Sequence, residues 1–198
     1  RKLDSLGYSC STFMLYLGVD KKYDIPHHNI LFAPDYHKNV REIAEDFVLS
    51  EDPSIYVHNA SVTDRTLAPR GKSAIYLLVP IANTRSGIDW SQEAPRYRDK
   101  VLDLVEERGG LTDIRDHIEK EAMITPDDWV NQYNVYNGAT FNLAHNVPQM
   151  LYFRPHNEFS EFKNCYLTGG GTHPGSGIPT ILESGRISAR MILKKDFR

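Results

Sequence analysis

At 198 residues, with 40% apolar and 25% charged side chains, the chain can form one or two domains around a sizeable core. A formal net charge of −3 leaves no basic stripe to neutralise phosphates, which excludes a general nucleic-acid binder. Cys10 and Cys165 are too few for a disulfide framework or a zinc knuckle and suit a reducing compartment. The longest apolar stretch, Ala74 to Ala82, contains Pro80 and falls far short of the roughly 20 residues of a membrane span.

The chain opens at Arg1 without an initiator Met or a signal-like segment. Lys2 to Asp4 lead directly into the strand-like Cys10 to Leu17, which suggests a piece of a longer protein. Phe13 to Val19 is a nearly continuous apolar run and predicts a strand buried on both faces. Ile30 to Ala33 is a short strand stopped by Pro34, and Ile55 to His58 is another. Ile75 to Val79 is a further apolar run, stopped by Pro80. Between them, His37 to Phe47 reads as a surface helix with Val40, Ile43, Ala44 and Phe47 at helical spacing.

From Ser91 to Arg108 the pattern turns helical, with Ala94, Tyr97, Val101, Leu104 and Val105 on one face and Pro95 in the first turn. Gly109-Gly110 is a stop. Thr112 or Asp113 predicts the cap of a second helix carrying Ile114 and Ile118. A β-rich block followed by two helices and loops predicts an α+β unit over residues 8 to about 155. The last segment differs: a short strand, Cys165 to Leu167, enters a glycine-dense turn and then a helix from Ile178 to Lys194. That helix groups Ile181, Leu182, Gly185, Ala189, Ile192 and Leu193 on one face. No earlier strand carries a glycine turn of its own, and no internal repeat is present.

Gly169, Gly170, Gly171, Gly175 and Gly177 put five glycines into nine residues, interrupted by Thr172, His173, Pro174 and Ser176. So much glycine is entropically expensive for a plain connector. The strand-loop-helix setting is that of a turn contacting a dinucleotide, with helix N–H groups and the positive dipole end aimed at an anion. The spacing is neither G-x-G-x-x-G nor a P-loop.

The series Asn164, Tyr166, Leu167, Gly169, Gly170, Gly171, Thr172, His173, Pro174, Gly175, Ser176, Gly177, Ile178 resembles the flavin-contacting C-terminal signature of the bacterial-type phytoene desaturases. Further blocks continue the likeness: Tyr152 to Asn157, Asp64 to Pro69 with the strand after it, Ser11 to Gly18, Asp89-Trp90, Thr125-Pro126 and Gly138 to Phe141. The resemblance covers nearly all of the chain. What is missing is the N-terminal Rossmann-type βαβ with its glycine fingerprint.

The resemblance therefore implies an α+β substrate domain of a Rossmann-type, amine-oxidase-like flavoprotein (residues 1–155). A C-terminal segment (156–198) returns to an FAD-binding half that this sequence lacks. It implies FAD-dependent hydride removal from an allylic carbon of a long acyclic carotenoid precursor, phytoene or its diapo analogue, in carotenoid biosynthesis. FAD contacts are expected from Gly169, Gly170, Gly171, Thr172, His173, Pro174, Gly175, Gly177 and Ile178. The implied location is peripheral, on the cytoplasmic face of a membrane. A piece lacking its other half would bind FAD weakly, be inactive, or associate with another chain. An oxygenase or isomerase of the same family and a non-catalytic lipid-binding module are the alternatives.

His173 and Arg154 are the candidates for a catalytic role, each set against a structural one: a histidine bonded to its own turn, and an arginine that with His156 anchors the loop. His27-His28, after Pro26, reads as a solvated turn, and no histidine or carboxylate spacing gives a metal site. Asp64 reads as a turn former. Ser5, Ser9 and Ser11 sit in no nucleophile elbow. Tyr133, Tyr136, Phe141, Tyr152 and Phe153 suit an apolar pocket or, one by one, the core.

Overall fold

A computed structural model describes residues 4–196, with side chains through Lys194; the expectations for Lys2 and Leu3 lie outside the described residues. The chain forms two compact units, residues 10–138 and residues 139–198 with 1–9. This is a division by packing. The boundary expected at 155 concerned a return to a flavin-binding half, which is a different criterion.

The first unit is a five-stranded, wholly antiparallel sheet with a long helix on one face. Strand β1 (Ser11–Val19) is followed by β2 (His28–Leu31), the short helix α1 (Tyr36–Arg41), β3 (Ile55–Asn59), β4 (Ser73–Ile81), α2 (Trp90–Arg108), β5 (Ile118–Ile124) and α3 (Pro126–Asn131). The spatial order is β2-β3-β4-β1-β5. Strict alternation in β3 and β4 sends Ile55, Val57, Ile75, Leu77, Val79 and Ile81 to one face with Phe13, Leu15, Leu17 and Val19 of β1. Onto this face α2 lays Trp90, Ala94, Tyr97, Val101, Leu102 and Val105, all buried. Phe13 stacks on Trp90 at 5.6 Å and meets Tyr97 edge-on at 5.2 Å.

Several local expectations are corrected. Pro80 does not stop β4, which runs on to Ile81. The pairing of β4 with β3 ends at Leu78, so beyond it a residue without an N–H withholds nothing from that neighbour. Helix α2 starts at Trp90, capped by Asp89 accepting from Ser91 N–H. Pro95 therefore falls in the second turn and forgoes the bond to the Ser91 carbonyl. Leu102 rather than Leu104 completes its buried face.

The predicted surface helix from His37 is one α-turn that passes into a π-turn at Glu42–Asp46. It buries Asn39 and Glu42 while Val40 and Ala44 stay exposed. Asn39 is inside because its Oδ1 accepts the Ser54 N–H at 3.0 Å. The second helix after Gly110 is a single 3-10 turn, Ile114–His117. Ile118 already belongs to β5, whose pairing with β1 overrides the local helical pattern. Charges at Glu119, Lys120 and Glu121 line this sheet edge, which discourages further strand addition.

The second unit is mostly loop and 3-10 turn, closed by helix α4 (Ile178–Asp196). The predicted strand Cys165 to Leu167 is reduced to an isolated bridge between Tyr166 and Glu158. The apolar face expected of α4 is not buried: Ser184 and Ser188 face inward, while Ile178, Leu182 and Leu193 are exposed. No helix among the described residues is long and apolar enough to cross a membrane.

Candidate functional site

The glycine segment is built on polar anchors, not on an apolar core. Arg154, 1% exposed, is its keystone. Its Nε donates to the Gly170 carbonyl at 3.0 Å, Nη1 to Gln149 O at 2.9 Å, and Nη2 to Leu143 O at 3.1 Å and Phe141 O at 3.3 Å. Burial pulls this guanidinium below its ordinary range, yet arginine remains a cation at any ordinary pH. An arginine enclosed by carbonyls holds the loop in shape; the structure gives it a positioning place.

Asn157, which the sequence offered only as part of a family block, does the same from the other side. Its Nδ2 reaches His173 O at 3.0 Å and Leu167 O at 3.3 Å. Helix α4 joins through two serines: Gly169 N–H donates to Ser184 Oγ at 2.8 Å, and Ser188 Oγ donates to Leu167 O at 2.8 Å.

Within this frame Thr172 and Gly175 are buried, Gly169 to Gly171, His173 and Pro174 are half-buried, and Gly177 and Ile178 are exposed. At Gly171 an added Cβ would lie 2.8 Å from Asn142 Nδ2, so any side chain there displaces the Asn142 amide. Gly169 has φ +112°, and a Cβ there would meet nothing within 4 Å. Main chain is thus laid bare toward open space. His173 donates its N–H to Pro155 O at 2.9 Å, and its Nδ1 lies 2.8 Å from Leu151 O, so the ring is tied into the loop. A bare peptide edge beside a helix N-terminus fits the flat, anionic character of a flavin nucleotide.

The other feature lies in the unit of residues 10–138. The sheet face opposite α2 carries Ala122, Tyr16, Tyr76, His58 and His28 in a single row, one from each strand. Beside it runs Ile124, Met14, Leu78, Tyr56 and Ile30. At about 4.8 Å per strand the platform is roughly 19 Å wide. An apolar groove of about 480 Å³ lies on it, lined by Tyr16, Tyr76, His58, Leu67, Ala74 and Ala122 among others. Tyr76 stacks on His58 at 4.4 Å, and Tyr16 lies 5.8 Å from Tyr76. Burial, then contact with Tyr56, pushes the Tyr76 hydroxyl up to about 12, so this phenol stays neutral. A larger cleft, about 780 Å³, is lined by Lys22, Arg65, Arg70 and Lys72 and is too cationic for a hydrocarbon.

Sequence reasoning missed this platform, although the alternation Met14-x-Tyr16-x-Gly18 and Ala74-x-Tyr76-x-Leu78 was its signal. The aromatics it favoured, Tyr133, Tyr136, Phe141, Tyr152 and Phe153, are all exposed and belong to neither core nor groove. Asp64 sits in a turn, accepting from Thr66 N–H and Oγ–H, and these bonds hold its carboxyl below the usual range. His27 and His28 are not independent turn residues: they stack at 4.1 Å and face His58 across the β2–β3 pair. Burial first, and the two neighbouring rings second, lower the His58 imidazole below its ordinary range.

No family model matches the chain. Curated proteins do. A 4,4'-diapophytoene desaturase (4,4'-diapolycopene-forming) of Methylomonas sp is 59% identical over 188 residues, 95% of this chain and 37% of that protein. An all-trans-zeta-carotene desaturase of Myxococcus xanthus is 40% identical over 195 residues, 98% of this chain and 37% of that protein. A 4,4'-diapophytoene desaturase (4,4'-diaponeurosporene-forming) of Staphylococcus aureus is 39% identical over 201 residues, 98% of this chain and 39% of that protein. The chain spans under two-fifths of the length of these relatives. Similarity that is continuous along its own length, glycine loop and sheet included, means that the chain belongs to the bacterial-type phytoene and diapophytoene desaturase family and corresponds to part of its sequence.

Proposed function

We propose that this chain is the substrate-domain portion and flavin-returning segment of an FAD-dependent carotenoid desaturase acting on phytoene or diapophytoene. The observation that carries the reading is 59% identity to a diapophytoene desaturase over 95% of the chain. Oxidised flavin supplies the hydride acceptor that no side chain can replace. The protein's own part is to bind, orient and exclude water.

The sheet platform suits a long acyclic polyene: the rings of Tyr16 and Tyr76 with Leu67 and Ala74 offer flat, mostly apolar contact. Gly169 to Gly171 present bare backbone to the flavin, held in register by Arg154 and Asn157. Pro174, Gly175, Gly177 and Ile178 carry that wall to the α4 N-terminus. Neither His173 nor Arg154 is assigned the proton; both are committed to main-chain carbonyls. A greasy substrate implies work at a membrane surface, on its cytoplasmic side, as a peripheral protein.

Two measurements test the reading. In the full flavoprotein that carries this segment, Gly171→Val should abolish FAD retention and desaturation while the sheet stays folded by circular dichroism. Products that gain oxygen or isomerise without a new double bond would overturn the desaturase assignment. The 198 residues alone should bind FAD weakly or not at all, and stoichiometric FAD retained through purification would refute a two-part site.

A further inference from the structure

Two adjacent histidines, His27 and His28, meet a third from β3, His58, at the edge of the sheet. His28 opens β2, His58 stands opposite it on β3, and His27 immediately precedes β2. One donor nitrogen of each ring lies within 4.8 Å of the others. His27 Nε2 and His58 Nε2 are 2.8 Å apart. The distal nitrogens of two rings are occupied in a way that fixes their direction. His27 Nδ1 lies 2.8 Å from Thr63 Oγ1, and His28 Nδ1 lies 2.5 Å from Tyr56 Oη. A ligating histidine is aimed and its tautomer fixed by an oxygen that accepts from its other ring N–H, a place that these hydroxyls can fill. The backbone holds the cluster too, since Asn59 N–H donates to His27 O at 2.8 Å.

We propose that His27, His28 and His58 form a binding site for a divalent transition-metal ion of the zinc class. Two nitrogens bound to one zinc at about 2.0–2.1 Å stand roughly 3.3 Å apart in tetrahedral geometry. Small ring rotations bring the observed spacing to that value. An all-imidazole donor set without a carboxylate selects zinc, nickel or copper(II) and rejects calcium and magnesium. His27 and His58 are half-buried and His28 is exposed, so the ion has an entry path and a coordination position left for water. Bound there, the ion ties the outermost strand β2 and the turn before it to β3. The proposal stands on the sheet's own geometry and does not depend on the assignment of the chain as a desaturase.

The test is titration of the untagged, chelator-treated protein with cobalt(II), read by its visible ligand-field band, and competition by zinc(II). One equivalent of cobalt is expected per chain, displaced by zinc. His58→Ala should abolish the band, and the exposed-site variant His28→Ala should weaken binding by about tenfold or more. Thr63→Val, which only frees the His27 ring, should also weaken it by about tenfold. His37→Ala, a histidine on α1, should leave uptake unchanged, and circular dichroism identifies any variant that fails to fold. Uptake by the protein no greater than by a His27/His28/His58 triple alanine variant would overturn the site. So would undiminished affinity in folded His28→Ala.

Discussion

Helices α2 and α4 have the same length, 19 residues, and both carry an apolar stripe, yet they use it in opposite ways. In α2 the stripe is the core: Tyr97, Val101, Leu102 and Val105 are fully buried against the sheet of their own unit. In α4 the inward face is Ser184 and Ser188, while Ile178 is 76% and Leu182 70% exposed. The first helix is held by area removed from water and the second by hydroxyl-to-backbone bonds. An amphipathic pattern therefore reports that a helix has an apolar face, and leaves open whether the covering surface lies in the same chain segment. The α4 face is what the desaturase reading assigns to a flavin-binding half, and the two helices should respond differently to mutation.

The largest difference belongs to the core. Tyr97→Ala removes a fully buried ring that contacts Phe13 and Trp90, and should destabilise the sheet unit by about 3–5 kcal/mol in urea unfolding. No apolar position on α4 should come near that figure.

Next in size is the polar keystone of the other unit. Arg154→Ala strands four carbonyls that share one guanidinium, at about 1.5–3 kcal/mol for each charge-assisted bond that water cannot replace. A loss of about 3 kcal/mol or more is expected, seen as faster amide exchange through residues 164–177 with the β-sheet amides unaffected. Arg154→Lys should not rescue it, because an ammonium cannot span the same fork. Equal exchange in variant and parent would show the loop to be held by something else.

A smaller effect acts on the glycine-loop unit through pH. His145, whose Nε2 lies 2.7 Å from Ser176 Oγ, has its imidazole lowered by burial first and by Arg154 second. A group whose pKa is lower in the folded than in the unfolded chain binds fewer protons when folded. Its stabilising contribution is complete above the unfolded value of about 6.5 and is lost as pH falls below it. The thermal stability of the glycine-loop unit should fall from about pH 7.5 to about pH 5. His145→Gln should flatten that slope, and an unchanged slope would exclude His145 as its source.

How much of this was legible depended on whether the forces were local. Helix α2 was legible because its apolar spacing and the Gly109 stop agree, although the Asp89 cap was not read, and β3 and β4 because each is a short apolar or alternating run between turn residues. Helix α1 was misread because Asn39 is drawn inside by a bond to Ser54, which no periodicity encodes. The turn at Ile114–His117 was misread because β5 gains more by pairing with β1 than a short helix gains by itself. Of the candidate site, the glycine loop was legible in its residue types, whereas Arg154, Asn157 and Ser184 acquire their places through contacts across 10–30 positions of chain. The row from Ala122 to His28 was hidden for the same reason: strand register, not sequence spacing, assembles it.

The smallest expected effect sharpens the comparison most. Leu182→Glu places a charge on the exposed face of α4, three positions before Gly185, where an added Cβ would meet nothing within 4 Å. If that face has no partner in these 198 residues, the substitution desolvates nothing. Unfolding free energy should then stay within about 0.5 kcal/mol of the parent. The same change should reduce binding of a hydrophobic dye and any self-association measured by sedimentation, because an uncovered apolar stripe is what both report. In the full flavoprotein the outcome should reverse, with Leu182→Glu weakening FAD retention. A charge forced against an apolar partner carries a desolvation penalty that a solvated one does not. A substitution that is silent in the segment and harmful in the whole locates the covering surface outside the segment. One that is harmful in both shows that α4 already buries this face within the 198 residues, and so would make it a second α2.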